Sequence, residues 1–337
     1  MGLYKILSTC YLYLIILGFI QEKERIFASM SKIAIAIHGG AGTLVKGMMK
    51  EEKEMAYTKA LEAALDCGYE VLKNNGTAID AVEAAVKSLE DCHLFNAGKG
   101  SVFTAKENHE MDASIMNGQN LDAGAVSMVN GIKNPVSLAR AVMEKSGHVF
   151  LAGEGAMEFA KNLSFEILSP DYFYDEFRHK QWLEVKDSDT FQLDHATKKE
   201  SKFGTVGAVA CDANGNIAAA TSTGGMTNKK FGRVGDSPMI GAGNYANNLT
   251  CAVSCTGSGE YFIRGVVAYD VSALIEHKGL AVNEAAEEVI YHRITKINGD
   301  GGLIAIDNKG NISMPFNTEG MYRAALHVDG RKEVLIY

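Results

Sequence analysis

Three observations in the 337-residue sequence predict an α+β fold. First, residues 206–211 and 217–221 are short runs of small and apolar residues joined by Asp212-Ala213-Asn214-Gly215-Asn216. An Asn-Gly pair between two such runs is the strongest short-range signal for a β-hairpin. Second, residues 53–73 and 78–89 carry apolar side chains at helical spacing, with Gly76-Thr77 punctuating them. Third, the remaining strand-like runs fall in groups between pairs of helices, the order of a layered α+β domain.

Taken in order, the first strand spans 33–37, directly after Met30-Ser31-Lys32, and the two amphipathic helices follow. Strands are expected around 101–103, 111–115 and 123–129, then helices near 135–145 and 153–161. From 169 to 202 the pattern dissolves into charges and aromatics, the composition of a mobile surface segment. After the hairpin, 261–277 and 282–292 read as helices, and 302–307 with 312–315 as closing strands. At 47% hydrophobic, with no Pro/Ser-rich linker and no repeat, the chain reads as one globular unit.

Composition excludes several function classes. A formal charge of −8 gives no basic footprint for nucleic acid. The six cysteines contain no Cys-x-x-Cys pair, and the closest two, Cys251 and Cys255, are four apart, so neither a zinc site nor a disulfide framework is expected. Residues 10–20 form an apolar stretch behind Lys5, too short for a comfortable membrane span and about right for a signal-peptide core. The charged Gln21-Glu22-Lys23-Glu24-Arg25 follows with no small-x-small cleavage site. The favoured reading is a cytoplasmic protein that starts at Met30 behind an extraneous leader over 1–29, with export as the alternative.

The chemistry centres on Gly204-Thr205-Val206. A threonine hydroxyl is a weak nucleophile unless a base sits beside it, and an N-terminal threonine supplies that base from its own α-amine. The amine does not exist while Gly204 is attached, so a nucleophilic Thr205 requires the chain to cut itself at Gly204-Thr205. With Asn214 and Gly215 as a two-residue turn, Val206 faces Thr223 and Thr205 faces Gly224; a longer turn shifts the register by a residue or two. Either way Thr223 falls near the Thr205 hydroxyl. In 232–238, Arg233 and Asp236 stand three apart in a glycine-flanked loop with Val234 and Gly235 between them. That loop is either a solvated turn or a clamp, with a guanidinium for a carboxylate and a carboxylate for an ammonium. Thr256-Gly257-Ser258-Gly259-Glu260 offers backbone N–H groups and a hydroxyl, the material of an oxyanion hole. His38 beside Gly39-Gly40 reads as structural. A small-molecule binding protein is the rival of another class, on Gly241-x-Gly243-x-x-Ala246, which lacks a strand–turn–helix frame.

Together, Gly204-Thr205-Val206-Gly207-Ala208-Val209, Thr221-Ser222-Thr223-Gly224-Gly225, residues 232–238, Gly241-Ala242-Gly243 and residues 256–260, in this order, resemble the isoaspartyl peptidase/L-asparaginase family of N-terminal nucleophile hydrolases. The resemblance runs upstream through His38-Gly39-Gly40-Ala41-Gly42, residues 94–100 and residues 110–116, and covers the chain from about Lys32 onward. It implies a four-layer αββα sandwich cleaved into an α subunit, 30–204, whose end 169–204 is a mobile linker, and a β subunit, 205–337. It implies hydrolysis of β-aspartyl dipeptides and of the L-asparagine side-chain amide; a glycosylasparaginase-like amidase is the alternative. By the same resemblance Thr205 is nucleophile and base, Thr223 supports its hydroxyl, and Asn96 lies nearby. The Thr256 side chain and the Gly257 N–H form the oxyanion hole. Arg233 and Asp236 hold the substrate α-carboxylate and α-ammonium, and Val234, Gly235, Ser258 and Gly259 line the pocket. It further implies a structural sodium ion on the backbone carbonyls of Leu89, Cys92, Phe95, Ala97 and Lys99, no cofactor for catalysis, and a dimer of αβ units. Ser258 stands where many relatives have histidine, Lys99 brings a charge to the cation loop, and Gly204 favours the asparaginase branch.

Overall fold

The computed structural model describes residues 33–187 and 204–337, so the proposed leader lies outside the described residues. Among the described residues twelve strands form two sheets: β1 Ala34–Gly42, β2 Met111–Asn117, β3 Ala123–Val129, β4 Phe150–Ala152, β5 Val206–Cys211, β6 Ile217–Thr223, β7 Asn244–Ala246, β8 Ala252–Gly257, β9 Gly301–Ile306, β10 Ile312–Ser313, β11 Gly320–Leu326 and β12 Lys332–Leu335. The larger runs β12-β11-β1-β5-β6-β2-β3-β4 and the smaller β10-β9-β8-β7. The helices are α1 Glu51–Lys73, α2 Ala78–Glu90, α3 Pro135–Lys145, α4 Gly153–Asn162, α5 Pro170–Phe173, α6 Glu176–Val185, α7 Gly259–Gly265, α8 Val267–Lys278 and α9 Val282–Glu287, the last continued by a π-helical turn, Glu288–Ile294.

Strand alternation explains the layering. Side chains point to opposite faces at each step, and β5 sends Ala208 and Ala210 into one hydrophobic cluster while Val209 and Cys211 enter another. The first cluster joins Ile35 and Ile37 of β1 to Leu61 and Leu65 of α1, Val82 and Val86 of α2, and Val142 of α3. The second joins the large sheet to the small one, with Ala34, Ala36 and Ala219 against Ala252, Ile304 and Ile306. The third joins Leu303 and Ala305 of β9 to Val271 and Leu274 of α8 and Ala285 of α9.

The helices begin where their sequence dictates. Three glutamates occupy the first turn of α1, where negative charge suits the helix dipole. The Thr77 side chain caps α2 by accepting the Asp80 N–H at 3.3 Å, an interaction of about 1 kcal/mol. The apolar stripe of α1, Tyr57, Leu61, Leu65 and Leu72, lies on β1 and β11.

Four expectations need correction. The hairpin closes through three residues, with Cys211 opposite Ile217 and Val206 opposite Ser222, one step from the two-residue register. Asp212 causes this: its Oδ1 accepts the N–H groups of Asn214 and Asn216, and Gly215 takes φ +80°, so the turn is held open. The segment 169–204 is not irregular throughout: α5 and α6 occupy much of 170–185, with Phe173, Arg178 and Trp182 buried. Its remainder, 188–203, lies outside the described residues. Residues 101–103 form no strand and instead follow a 3₁₀ turn, Gly98–Gly100. The helix expected over 261–277 breaks at Val266, which takes a left-handed φ of +47° between α7 and α8. Strand β11, unforeseen, lies between β1 and the edge strand β12 of the large sheet.

Candidate active site

The site lies where β1, β5, β6 and β8 end together. Thr205 immediately precedes β5, and continuing the β5–β6 register by one step sets it across from Thr223. Both are buried, Thr205 at 8% and Thr223 at 3% exposure. They share a cleft with Ala41, Asn96, Gly204, Gly225, Met226, Arg233, Gly235, Asp236, Ser237 and Gly257. Val234, Thr256, Ser258 and Gly259 are not among the lining residues. The Ser258 hydroxyl donates to Asp300 instead, and its N–H bonds the Asp300 carbonyl at 3.0 Å.

The threonine hydroxyl is supported differently from expectation. Thr205 Oγ1 lies 3.3 Å from Ser237 Oγ, and Ser237 is itself fixed by Ser114 Oγ, which donates to its carbonyl at 2.6 Å. Thr223 Oγ1 accepts the Gly225 N–H at 3.0 Å, shaping the Gly224-Gly225 turn. Ser237 was missed because its loop reads from sequence as an Arg–Asp motif; the hydroxyl beside Asp236 was the available signal. Asn96 is a brace rather than a reactant: Nδ2 donates to the Gly225 carbonyl at 2.7 Å and Oδ1 accepts the Val102 N–H at 3.0 Å. Beneath the same turn, Lys229 Nζ donates to the Glu110 carbonyl at 2.6 Å and lies 3.8 Å from the buried carboxylate of Asp112.

Gly204 is confined from two sides. Gly40 has φ +115°, and a Cβ there would come within 2.5 Å of the Gly204 nitrogen, so only glycine permits this approach. On the other side a Cβ on Gly204 itself would meet Thr256 Oγ1 at 3.1 Å. Thr256 is fully buried and accepts the Ala41 N–H at 3.3 Å. Thr256 thus packs against Gly204 and Ala41, which line the cleft, and Gly257 lines it directly.

Arg233 and Asp236 converge. A Cβ on Gly259 would lie 2.9 Å from Arg233 Nη2 and 2.8 Å from Asp236 Oδ1, so this glycine leaves the space the two heads occupy. Arg233 spends its fork on Glu260, with Nε to Oε1 at 2.8 Å and Nη2 to Oε2 at 2.9 Å, a partner that sequence reasoning missed. Asp236 is 3% exposed, and its Oδ2 has no hydrogen-bond partner among the described residues. Burial pushes its carboxyl up to about 7, against the opposing pull of Arg233. A buried carboxylate oxygen lacking a donor is a vacancy for a cation with N–H groups.

The cation loop provides the chemistry expected of hard oxygen donors. The carbonyls of Phe95 and Ala97 accept the N–H groups of Ala97 and Gly100 at 3.0 and 3.1 Å, while that of Leu89 accepts from both Asp91 and Cys92. Lys99 directs its ammonium over the Tyr172 ring at 5.4 Å. No group of three or more His, Cys, Asp or Glu side chains suited to a metal occurs among the described residues. The five described cysteines are free thiols. No described helix is long and apolar enough to cross a membrane.

A buried hydroxyl facing a hydroxyl-and-amide pocket, beside a guanidinium and an unsatisfied carboxylate, defines a site for attack on a carbonyl of a small zwitterionic molecule. A sequence model of the asparaginase family matches residues 31–336. The chain is 52% identical over 298 residues to an isoaspartyl peptidase of Escherichia coli, covering 88% of this chain and 93% of that protein. It is 42% identical over 325 residues to a probable isoaspartyl peptidase/L-asparaginase of Arabidopsis thaliana, covering 90% and 98%. To a plant-type L-asparaginase of Pyrococcus furiosus it is 44% identical over 313 residues, covering 89% and 98%. The chain belongs to the asparaginase family.

Proposed function

We propose that this protein is an isoaspartyl peptidase and L-asparaginase that cuts itself between Gly204 and Thr205 and then uses Thr205 as an N-terminal nucleophile. The observation that carries the reading is the shared cleft: Thr205 and Gly257 line it together with Arg233 and the unsatisfied Asp236, and Thr256 packs behind its Gly204 and Ala41 walls. In self-cleavage Thr205 Oγ attacks the Gly204 carbonyl carbon, the C–N bond breaks as the hydroxyl proton passes to the nitrogen, and water hydrolyses the resulting ester. The freed α-amine, with an ordinary pKa of about 7.7–8.0, then serves as the base.

In turnover that amine takes the Thr205 hydroxyl proton as Oγ attacks the side-chain carbonyl of the aspartyl unit. The Thr256 hydroxyl and the Gly257 N–H receive the oxyanion. The ammonium returns its proton to the leaving amine or ammonia, and water then splits the acyl-threonine to release aspartate. Arg233 and Asp236 make this selective. A β-aspartyl peptide keeps both α-groups free, whereas an α-linked one has lost the carboxylate that Arg233 requires.

The three hydrophobic clusters, helix to sheet, sheet to sheet and sheet to helix, support an αββα sandwich shared by an α subunit ending at Gly204 and a β subunit beginning at Thr205. The backbone carbonyls of Leu89, Cys92, Phe95, Ala97 and Lys99 would hold a sodium ion that steadies the loop carrying Asn96. By likeness to the family, the working particle is a dimer of cleaved αβ units.

Intact-mass analysis and iso-Asp-Leu turnover test the proposal together. Wild type resolves into two fragments meeting at Gly204/Thr205 and hydrolyses iso-Asp-Leu but not α-Asp-Leu, while Thr205→Ala stays whole and inert. A fully active, unbroken chain, or equal turnover of both dipeptides, would end it.

A further inference from the structure

His38 is fully buried on β1, directly across from Gly207 of β5. Its Nδ1 lies 3.0 Å from the carbonyl oxygen of Thr205 and its Nε2 lies 2.9 Å from Ser254 Oγ. A carbonyl only accepts, so Nδ1 carries the proton. In the neutral ring Nε2 is then the acceptor, and Ser254 must donate to it. Ser254 Oγ stands 2.7 Å from Thr221 Oγ1, which in turn receives the Asn244 side-chain amide at 3.2 Å. The single Thr221 proton has two acceptors in reach, Ser254 Oγ at 2.7 Å and the Gly243 carbonyl at 3.2 Å. Because Ser254 spends its own proton on His38, the shorter contact is made with Thr221 as donor, and donors run from Asn244 through Thr221, Ser254 and His38 to the Thr205 carbonyl. Burial of the imidazole pushes its pKa down to about 3, which keeps the ring neutral. Space for this chain is built into the sequence: a Cβ at Gly207 would fall 2.0 Å from Ser254 Oγ and 2.5 Å from His38 Nε2.

Thr205 needs such a hold. It precedes β5, and the β1–β5 ladder begins with the pair His38 and Gly207, so its carbonyl lies beyond the strand pairing. Once the bond to Gly204 is broken, residue 205 also loses its covalent tether on the amine side. We propose that His38 is a positioning residue for the nucleophile: fixed as the Nδ1–H tautomer by Ser254 and Thr221, it clamps the Thr205 carbonyl and so aims the free amine and hydroxyl of the cleaved chain end. The inference rests on the proposed role of Thr205 as nucleophile. It extends that role by assigning the His-Gly-Gly segment and Gly207 a part in catalysis that acts through residue 205.

The test uses the full chain in three variants and two readouts. Asn places its amide nitrogen where Nδ1 stood, whereas Gln reaches only the Ser254 end. His38→Asn should thus keep kcat on iso-Asp-Leu within about threefold, and His38→Gln should lose about a hundredfold, the scale of a reacting group misplaced by roughly 1 Å. Ser254→Ala leaves the ring in place but removes the donor that selects its tautomer, and should lower kcat about tenfold, one broken neutral hydrogen bond. KM should stay within about twofold in all three, because neither Arg233 nor Asp236 is touched. In protein labelled with ¹⁵N-histidine, the imidazole signal that vanishes in His38→Asn should report a neutral Nδ1–H ring, and Ser254→Ala should mix the tautomers. An Nε2–H ring in wild type, an unimpaired His38→Gln, a His38→Asn as poor as His38→Gln, or a KM that rises in step with the loss of kcat would overturn the clamp. Wild type inactive on iso-Asp-Leu would instead overturn the reading of Thr205, with the tautomer measurement still deciding whether His38 holds its carbonyl.

Discussion

Asp236→Asn should alter stability in a strongly pH-dependent way, because the carboxyl of Asp236 titrates at about 7 in the folded chain against 3.8 for a free side chain. The folded state keeps this proton through a range where the unfolded chain has released it. Stability from this group is therefore present below about pH 4 and lost as the pH rises towards 7. A shift of about three units corresponds to about 4 kcal/mol at 1.36 kcal/mol per unit, an order of magnitude for a fully buried group. Asparagine fills the same outline but leaves an amide where Oδ2 lacked a partner, a pH-independent cost of about 1–3 kcal/mol. That cost cancels when the variant is compared with wild type at two pH values. Urea denaturation at pH 4 and pH 8 should therefore show Asp236→Asn gaining about 4 kcal/mol relative to wild type over that interval. A change below about 1 kcal/mol would refute the argument that burial, outweighing Arg233 and the backbone N–H of Asp236, sets the state of this carboxyl. The strain has a functional counterpart: a substrate ammonium supplies the missing N–H groups, so the variant should be the more robust protein at pH 8 and the worse enzyme.

Thr256→Ala should lower kcat on iso-Asp-Leu about 100- to 1000-fold, about 3–4 kcal/mol of oxyanion stabilisation, with KM nearly unchanged; steady-state kinetics on material shown by mass to be cleaved would check it. Glu260→Ala frees Arg233 for the substrate carboxylate; because Glu260 is half exposed, the pair holds Arg233 only weakly, and KM should fall about twofold. Replacing sodium by N-methylglucamine should lower the thermal midpoint and reduce kcat through loosening of the loop that carries Asn96, both restored on adding sodium chloride back.

What the sequence made legible followed from local chemistry. Strands β2, β3 and β5 and helices α1 to α4 announce themselves because each presents one apolar face or run bounded by Gly, Pro or a cap. The burial pattern of α6 does not: its inward face is Arg178, Trp182 and Val185, so a buried guanidinium stands where a periodicity argument expects leucine. Asn214-Gly215 marked the turn correctly, but its length depended on Asp212 bonding two backbone N–H groups, a competition between side chain and ladder that pattern alone does not rank. The same limit governs the site. Thr205, Thr256, Arg233 and Asp236 were legible because they stand in short glycine-flanked motifs that occur in one order, and the fold brings Thr205, Arg233 and Asp236 to one cleft with Thr256 packed against its Gly204 wall. Ser237, Glu260 and the hydrogen-bond partners of His38 were not, because serine and glutamate are common and their roles depend on contacts made across 27 to 216 residues of chain. Groups that perform bond-making chemistry were thus visible in composition and order. Groups that aim or restrain them became visible only when strands of two sheets were brought together, as His38 of β1 and Ser254 of β8 are beside the Thr205 carbonyl.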